Sequence, residues 1–539
     1  MGVDGLTDVD GTLAAAGITI TAPGLDGSAE SLGKSVELLT PGSKLLHSCL
    51  ANSGLSPTAH IALMHSSAAS DAVTITVPAP AAGSNALLLV HDSTGALTFH
   101  MPDGVTASSA TVQLPPSPTV APAAAGASAS APTVSFTVAA SRFTAGIEHV
   151  GLLSRITGLV EHFRFHPSLE GASKLLSVVE YPVEHLVGTV GSYWFTQWEN
   201  NKHPSVIRWF PAEGNLSAGE PLSPTNWHQL AEGPTLLFIH GIFSNCQSGF
   251  GGIGDDTTTW PELRRRYGNR IIGFDHPTAS VSPATNAAWF LDQIPNVNLT
   301  LDIVSHSRGG LVARSIAGQA AQWGQAKDQA LNIERIVFAA TPNGGSQITV
   351  TDNWVTLINR LSSLFTLPAK VLPAPADAIS EILTGLLEVL KIVGVGVALD
   401  LPGLEDMAPG STFLQNLGQT TALPPPAYYA AFADFEPGPI LANLFNHLDD
   451  MGRVVDTEIF DHVHNDIAVP TDGVWNPANP NGLNPPPSAD PIPGFPIDDK
   501  ARRLNIGPGS IYWHCSYFGD PAMRAALLAW LQPGQPTRI

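Results

Sequence analysis

LDIVSHSRGGLVARSI, residues 301–316, changes character at its centre. The aliphatic run Leu299–Val304 has the composition of a strand buried on both faces. After Ser305-His306-Ser307-Arg308-Gly309 the apolar residues Leu311, Val312 and Ile316 fall at helical spacing. A side chain presented on so sharp a strand-to-helix turn needs small neighbours two before and two after it, because the backbones there nearly touch. Ser305 and Gly309 supply them, in an S-x-S-x-G form of the nucleophile-elbow pattern. The turn also sets Ser307 at a helix N-terminus, where unpaired N–H groups face any developing negative charge. Ser307 is therefore the candidate nucleophile, against the plainer reading of a structural serine on a βα turn.

Upstream, TLLFIHGIFSN (residues 235–245) is a second buried strand running into a turn at His240-Gly241. A serine attacking an acyl carbonyl needs donors for the resulting oxyanion. The N–H of Arg308 is one candidate, and that of Ile242 or Phe243 the other, with Gly241 allowing close backbone approach. Strands are predicted at Thr235–Ile239, Arg270–Phe274, Leu299–Val304, Ile333–Ala340 and Tyr428–Phe435, alternating with amphipathic segments. The predicted class is α/β: a mostly parallel sheet with helices on both faces. Residues 1–140, rich in Ala, Ser, Thr, Pro and Gly, carry short strand-like runs at Val73–Val77, Ala86–Val90 and Thr133–Val138, which suggest a β-rich, sandwich-like module. Residues 141–233 read as a helical connector with the first strands, including helical spacing in IEHVGLLSRITGLVEHF and GASKLLSVVEYPVEHL. The catalytic domain is placed at 234–539, with a Leu-rich helical insertion at about 347–423.

Three stretches, TLLFIHG, SHSRGGLVAR and AATPNGGS, resemble the α/β-hydrolases, in particular bacterial lipases and esterases and GPI inositol-deacylase-like serine hydrolases. The resemblance covers roughly Pro234 to the C-terminus. Ser305 in place of the usual first Gly is a departure that the steric rule tolerates. The resemblance implies the α/β-hydrolase fold and a triad in chain order Ser, Asp, His. His514, in SIYWHCSYF before the terminal AMRAALLAWL, holds the base's position. His462 and His464 compete with it, and His240, His276 and His306 line earlier loops. Asp466, in HNDIAVPTDG, matches an Asn-Asp-x-x-Val segment and is the implied acid, with Asp472, Asp461 and Asp434 as rivals. A zinc reading of His462, His464 and Asp466 lacks a fourth ligand nearby. The insertion at 347–423 stands where such enzymes carry a lid or a fixed cap. Arg308 is expected to hold a scaffold carboxylate.

Composition narrows the function. With 25 Lys+Arg against 46 Asp+Glu, net -21, the surface repels nucleic acid and offers no steering to anionic substrates. Cys49, Cys246 and Cys515 are an odd three without metal spacing, so a disulfide framework is excluded, although a Cys246–Cys515 bridge is conceivable. The acidic N-terminus shows no signal peptide, and Ile382–Leu399, broken by Glu388 and Lys391, reads as a buried or lid helix, so a cytoplasmic location is expected. The expected function is hydrolysis of a small-molecule or polymeric carboxylic ester, with no metal or organic cofactor, and with a lipid or hydrophobic interface as an admissible partner. Transfer of the acyl group to an alcohol, cleavage of amides or polyesters, and a non-catalytic binding scaffold are the alternatives.

Overall fold

The structure is a computed structural model that describes residues 12–15, 17–33, 41–67, 72–92, 97–104, 132–139, 172–183, 191–211, 216, 219–349, 359, 376–394, 401–419, 425–435, 463–482, 491–510 and 512–532. The strands of its first part are β1 (Thr12–Ala15), β2 (Ile18–Thr21), β3 (Asp26–Gly33), β4 (Ser56–Ser67), β5 (Ala72–Pro78), β6 (Ser84–Asp92), β7 (Leu97–His100), β8 (Thr133–Ala139) and β9 (Ala172–Pro182). They form an antiparallel sheet ordered β1-β2-β5-β8 and a second ordered β3-β4-β9-β6-β7. Ile20, Ile75 and Phe136 of the first sheet share one core with Leu63, Leu88, Val90 and Leu176 of the second. The run Leu87–Val90 is apolar throughout because both of its faces are covered. Leu88 and Val90 face that core, while Leu87 and Leu89 face a larger one on the opposite side.

The segment GASKLLSVVEYPVEHL, read above as helical, contains β9, the central strand of the second sheet, paired with β4 and β6. Its apolar residues satisfy two periods at once. Leu176 and Val178 point to one core, Val179 and Tyr181 to the other, and partners on both sides decide in favour of the strand. IEHVGLLSRITGLVEHF lies outside the described residues.

The second part is one eight-stranded sheet of β10 (Val206–Trp209), β11 (Glu220–Pro221), β12 (Pro234–Ile239), β13 (Ile271–Asp275), β14 (Leu299–His306), β15 (Leu331–Ala339), β16 (Ala427–Phe435) and β17 (Arg503–Ser510). The order is β11-β10-β13-β12-β14-β15-β16-β17. From β13 to β17 every pairing is parallel, and the β10–β11 hairpin is added antiparallel at the β13 edge. The helices are α1 (Pro41–Asn52), α2 (Gly191–Lys202), α3 (Cys246–Gly254), α4 (Thr259–Tyr267), α5 (Pro283–Gln293), α6 (Gly309–Lys327), α7 (Ala376–Gly394) and α8 (Pro521–Trp530), with shorter turns between them. Alternation along the strands sorts the two faces. Leu237, Ile239, Ile303 and Phe338 pack with Phe290 of α5 and Val312 and Ile316 of α6. Leu236, Phe238, Val304 and Val337 pack with Phe250 of α3, Leu263 of α4 and Leu527 of α8. This is the α/β architecture, helices on both faces of a mainly parallel sheet, that the sequence predicts.

Helix α7 lies between the two parts. Its buried Leu383, Leu386, Leu387 and Leu390 join the core that also holds Leu89, Val179 and Phe243. Its Lys391 sits 2.6 Å from Glu388 and donates to the Ser53 carbonyl at 2.7 Å, and the Lys391 carbonyl accepts from the Tyr181 hydroxyl. Among the described residues, no helix is long and apolar enough to cross a membrane. Cys49, Cys246 and Cys515 are free thiols.

Candidate active site

Ser307 stands on the bend between β14 and α6 with φ 53°, a left-handed conformation that side chains other than glycine seldom adopt. Its N–H donates to the Ala339 carbonyl at 2.8 Å, which fixes the bend to β15. Strain of this kind persists only where the surroundings over-determine it. Here they do. A Cβ on Gly309 would overlap the carbonyl oxygens of Ile239 and His240, and one on Gly241 would come within 2.8 Å of the Ser307 Cβ. At the other small position, Ser305 is fully buried and donates its hydroxyl to the Val337 carbonyl at 2.8 Å, so the elbow has room for a serine where the usual motif has Gly.

The structure brings Ser307, His514 and Asp466 together. His514 Nε2 lies 2.8 Å from Ser307 Oγ, and its Nδ1 donates to Asp466 Oδ2 at 3.0 Å. Asp466 is buried in a tight turn whose own N–H groups it receives. Its Oδ1 accepts from Ala468 and Val469 at 3.1 and 2.8 Å, and its Oδ2 also accepts the Tyr517 hydroxyl at 2.9 Å. Burial and the neighbouring carboxylate push the Tyr517 phenol well up, so it stays protonated as a donor. The His514 backbone is held from both sides, its N–H on the Asp466 carbonyl at 3.0 Å and its carbonyl accepting from His306 Nε2 at 2.8 Å.

The rival residues lie elsewhere. His240 donates from Nδ1 to the Gly241 carbonyl and accepts the His276 N–H at Nε2, and the two rings pack with centroids 4.3 Å apart. His464 is exposed and pairs with Asp434 at 2.6 Å. Asp472 accepts from the Trp475 indole. His462 and Asp461 lie outside the described residues, and among those described no cluster suited to a metal ion occurs. Of the candidate oxyanion donors, Phe243 spends its N–H on Thr278 Oγ1 at 3.0 Å. The N–H groups of Ile242 and Arg308 meet no acceptor among the described residues. The Arg308 side chain departs from the sequence expectation. It is fully buried and bonds the backbone carbonyls of Val281 and Gly403, not a carboxylate.

A cleft of about 670 Å³, its open mouth included, leads to the Ser307 hydroxyl. Its wall is mainly apolar, with Ile242, Phe243, Ile382, Leu386, Met407 and Trp513 among the residues that line it. The hydroxyls of Ser346 and Thr349 turn away to the carbonyls of Ala468 and Ser346, and among the described residues no Asp, Glu, Lys or Arg side chain lines the space.

Three buried histidines give the site a pH signature. Burial lowers His240, lowers His276 strongly, and pushes His306 down to about 3, so all three are neutral in the folded chain at pH 7. The unfolded chain takes up these protons near pH 6.5 and the folded chain does not, so stability is full above that pH and declines below it. The expected slope reaches about 1.4 kcal/mol per pH unit for each histidine. Urea unfolding at pH 7, 6 and 5 should show a falling midpoint, and a midpoint that holds or rises would count against neutral burial.

A family described as a domain of unknown function, DUF7379, matches residues 203–532, more than half of the chain. The chain belongs to this family. No curated protein matches it. Among solved structures it is similar to phospholipase PlaB from Legionella pneumophila, with 13% identity, 45% of each chain covered and a TM-score of 0.27. It is also similar to lipase 1 from Pelosinus fermentans, with 12% identity, 55% of this chain and 96% of that one covered, and a TM-score of 0.30. A third is CarC, a serine hydrolase involved in carbazole degradation, with 12% identity, 61% and 98% covered, and a TM-score of 0.27. The match to the Legionella protein spans less than half of that protein's length.

Proposed function

We propose that this chain is a serine hydrolase of the α/β-hydrolase type that cleaves carboxylic esters through an acyl-enzyme on Ser307. The observation that carries the reading is the continuous Ser307–His514–Asp466 hydrogen-bond line, with its serine end open to an apolar cleft. His514 Nε2 takes the Ser307 proton as Oγ bonds to the ester carbonyl carbon. The N–H groups of Ile242 and Arg308 receive the oxyanion. His514 then gives its proton to the leaving alcohol as the C–O bond breaks. In the second half a water attacks, its proton passes to His514 and on to Ser307, and the acid leaves. Asp466 holds the Nδ1–H tautomer and stabilises the imidazolium.

The acyl group that fits the cleft is apolar and uncharged, since a carboxylate there would meet no cation among the described residues. Helix α7, whose Ile382 and Leu386 line the cleft, is the cap of the site in this reading and the core of the lid insertion. Hydrolysis of a neutral hexanoyl p-nitrophenyl ester and of its succinyl counterpart tests the proposal, with the neutral ester expected to win by at least about tenfold in kcat/KM. Equal rates would remove the apolar-acyl assignment. Added methanol in the same assay separates transfer from hydrolysis by product.

Tyr517→Phe is expected to lower kcat roughly tenfold with little change in KM, because one of the two donors to Asp466 Oδ2 is lost while the cleft is untouched. Steady-state kinetics on the neutral ester decides it, and an unchanged kcat would make that hydroxyl a purely structural contact.

A further inference from the structure

Glu199 lies on α2, upstream of the residues that the family match covers. It is fully buried, yet it is fully engaged. Oε1 accepts the N–H groups of Thr278 and Ala279, each at 2.8 Å, and the Thr278 hydroxyl at 2.9 Å. Oε2 accepts the N–H of Ser280 at 2.7 Å and its hydroxyl at 2.6 Å. Five donors from three consecutive residues thus converge on one carboxylate. The loop they belong to follows β13 and has no regular pairing of its own. Arg308, the residue after the proposed nucleophile, grips the same loop one residue further on through the Val281 carbonyl.

The loop in turn supports the oxyanion turn. Thr278 Oγ1 gives its proton to Glu199 and so presents a lone pair to the N–H of Phe243 at 3.0 Å. Phe243 has φ 48°, a conformation that a non-glycine residue needs outside help to keep. Its upstream neighbour is Ile242, whose N–H meets no acceptor among the described residues. A hydroxyl that donated elsewhere would not be oriented to accept this amide, so the carboxylate sets the direction of the whole relay.

We propose that Glu199 is a positioning residue for the oxyanion hole: through Thr278 it fixes the Phe243 amide, and with it the aim of the Ile242 N–H at the acyl oxygen. The helix that carries it is then part of the working enzyme, not a spacer between the N-terminal sheets and the catalytic sheet. The proposal rests on the serine-hydrolase reading. Preorganised donors act on the charge that develops in the transition state, and ground-state binding in the apolar cleft does not depend on them. Misaiming one donor should therefore lower kcat and spare KM.

The test uses the full chain with Glu199→Gln, Thr278→Val and Thr278→Ser, read by kcat and KM on the neutral ester and by the affinity of a trifluoromethyl ketone, which forms an oxyanion on the serine. In Glu199→Gln an amide NH2 faces one set of donors. In Thr278→Val the relay is deleted at nearly constant volume. Both are expected to lose about tenfold in kcat and the same factor in ketone affinity, with KM within twofold, a smaller loss than outright removal of a donor brings. Thr278→Ser, which keeps the hydroxyl, should recover most of it. A folded Glu199→Gln, or Thr278→Val, at the wild-type kcat and ketone affinity overturns the proposal, as does a Thr278→Ser variant as impaired as Thr278→Val; the Thr278 pair keeps the relay falsifiable even where Glu199→Gln does not fold. Failure of the underlying reading looks different: Ser307→Ala would then keep turning over the ester.

Discussion

Ser307→Ala is expected to hydrolyse the neutral ester at least about 10⁴-fold more slowly than the wild-type chain, with its unfolding midpoint little changed. The size follows from what is lost. The oxygen that bonds to the acyl carbon is gone, while the cleft and the proposed oxyanion donors stay, so only binding and electrostatic assistance to water remain. The stability should hold because the removed hydroxyl makes one hydrogen bond among the described residues, to His514 Nε2, and the bend is built from backbone bonds and close packing. His514→Ala should fall by a similar factor, since residues that act as a unit are not additive. Ester turnover by purified Ser307→Ala within a factor of ten of the wild type would end the acyl-enzyme scheme.

The second large effect is on folding. Gly309→Ala should cost more than about 3 kcal/mol or leave no soluble protein, because the new Cβ meets two backbone carbonyl oxygens of β12 and its following turn, and neither can move without opening the sheet. At the matching position before the nucleophile the same reasoning gives the opposite result. Ser305→Gly removes one buried hydrogen bond to Val337 and adds some chain entropy, and should cost only about 1–2 kcal/mol. Urea unfolding of the two variants side by side measures the difference. If Gly309→Ala proves no worse than Ser305→Gly, the close approach of the elbow to β12 is not what holds the bend.

Local pattern made much of this architecture legible in the chain. The predicted strands around Leu237, Ile272, Val304, Val337 and Ala430 fall within a residue or two of β12 to β16 at all of their ends, because a parallel strand covered on both faces has to be a short, largely apolar run. The elbow was legible for a steric reason, and the structure adds why Ser305 is admitted. His514 and Asp466 were legible only through family resemblance, since nothing local distinguishes one histidine among 18. Pattern misled at β9, whose apolar residues fit helical and strand periods alike until its two partners are known. What lay beyond reading was contact between distant residues. Glu199 meets its loop 79 to 81 positions away, and Arg308 reaches the Gly403 carbonyl 95 positions away, so neither role leaves a mark in the nearby sequence. Between Ile242 and Phe243 as proposed oxyanion donors, what differs is a single contact that no local pattern carries, the Phe243 N–H on the Thr278 hydroxyl.

The most direct measurement is covalent. The full chain treated with a fluorophosphonate and digested should carry the phosphonyl mass on one peptide, at Ser307, with labelling absent from Ser307→Ala. An unmodified Ser307 peptide under conditions that label a known serine esterase, or a label borne by another residue and retained in Ser307→Ala, would contradict the nucleophile assignment.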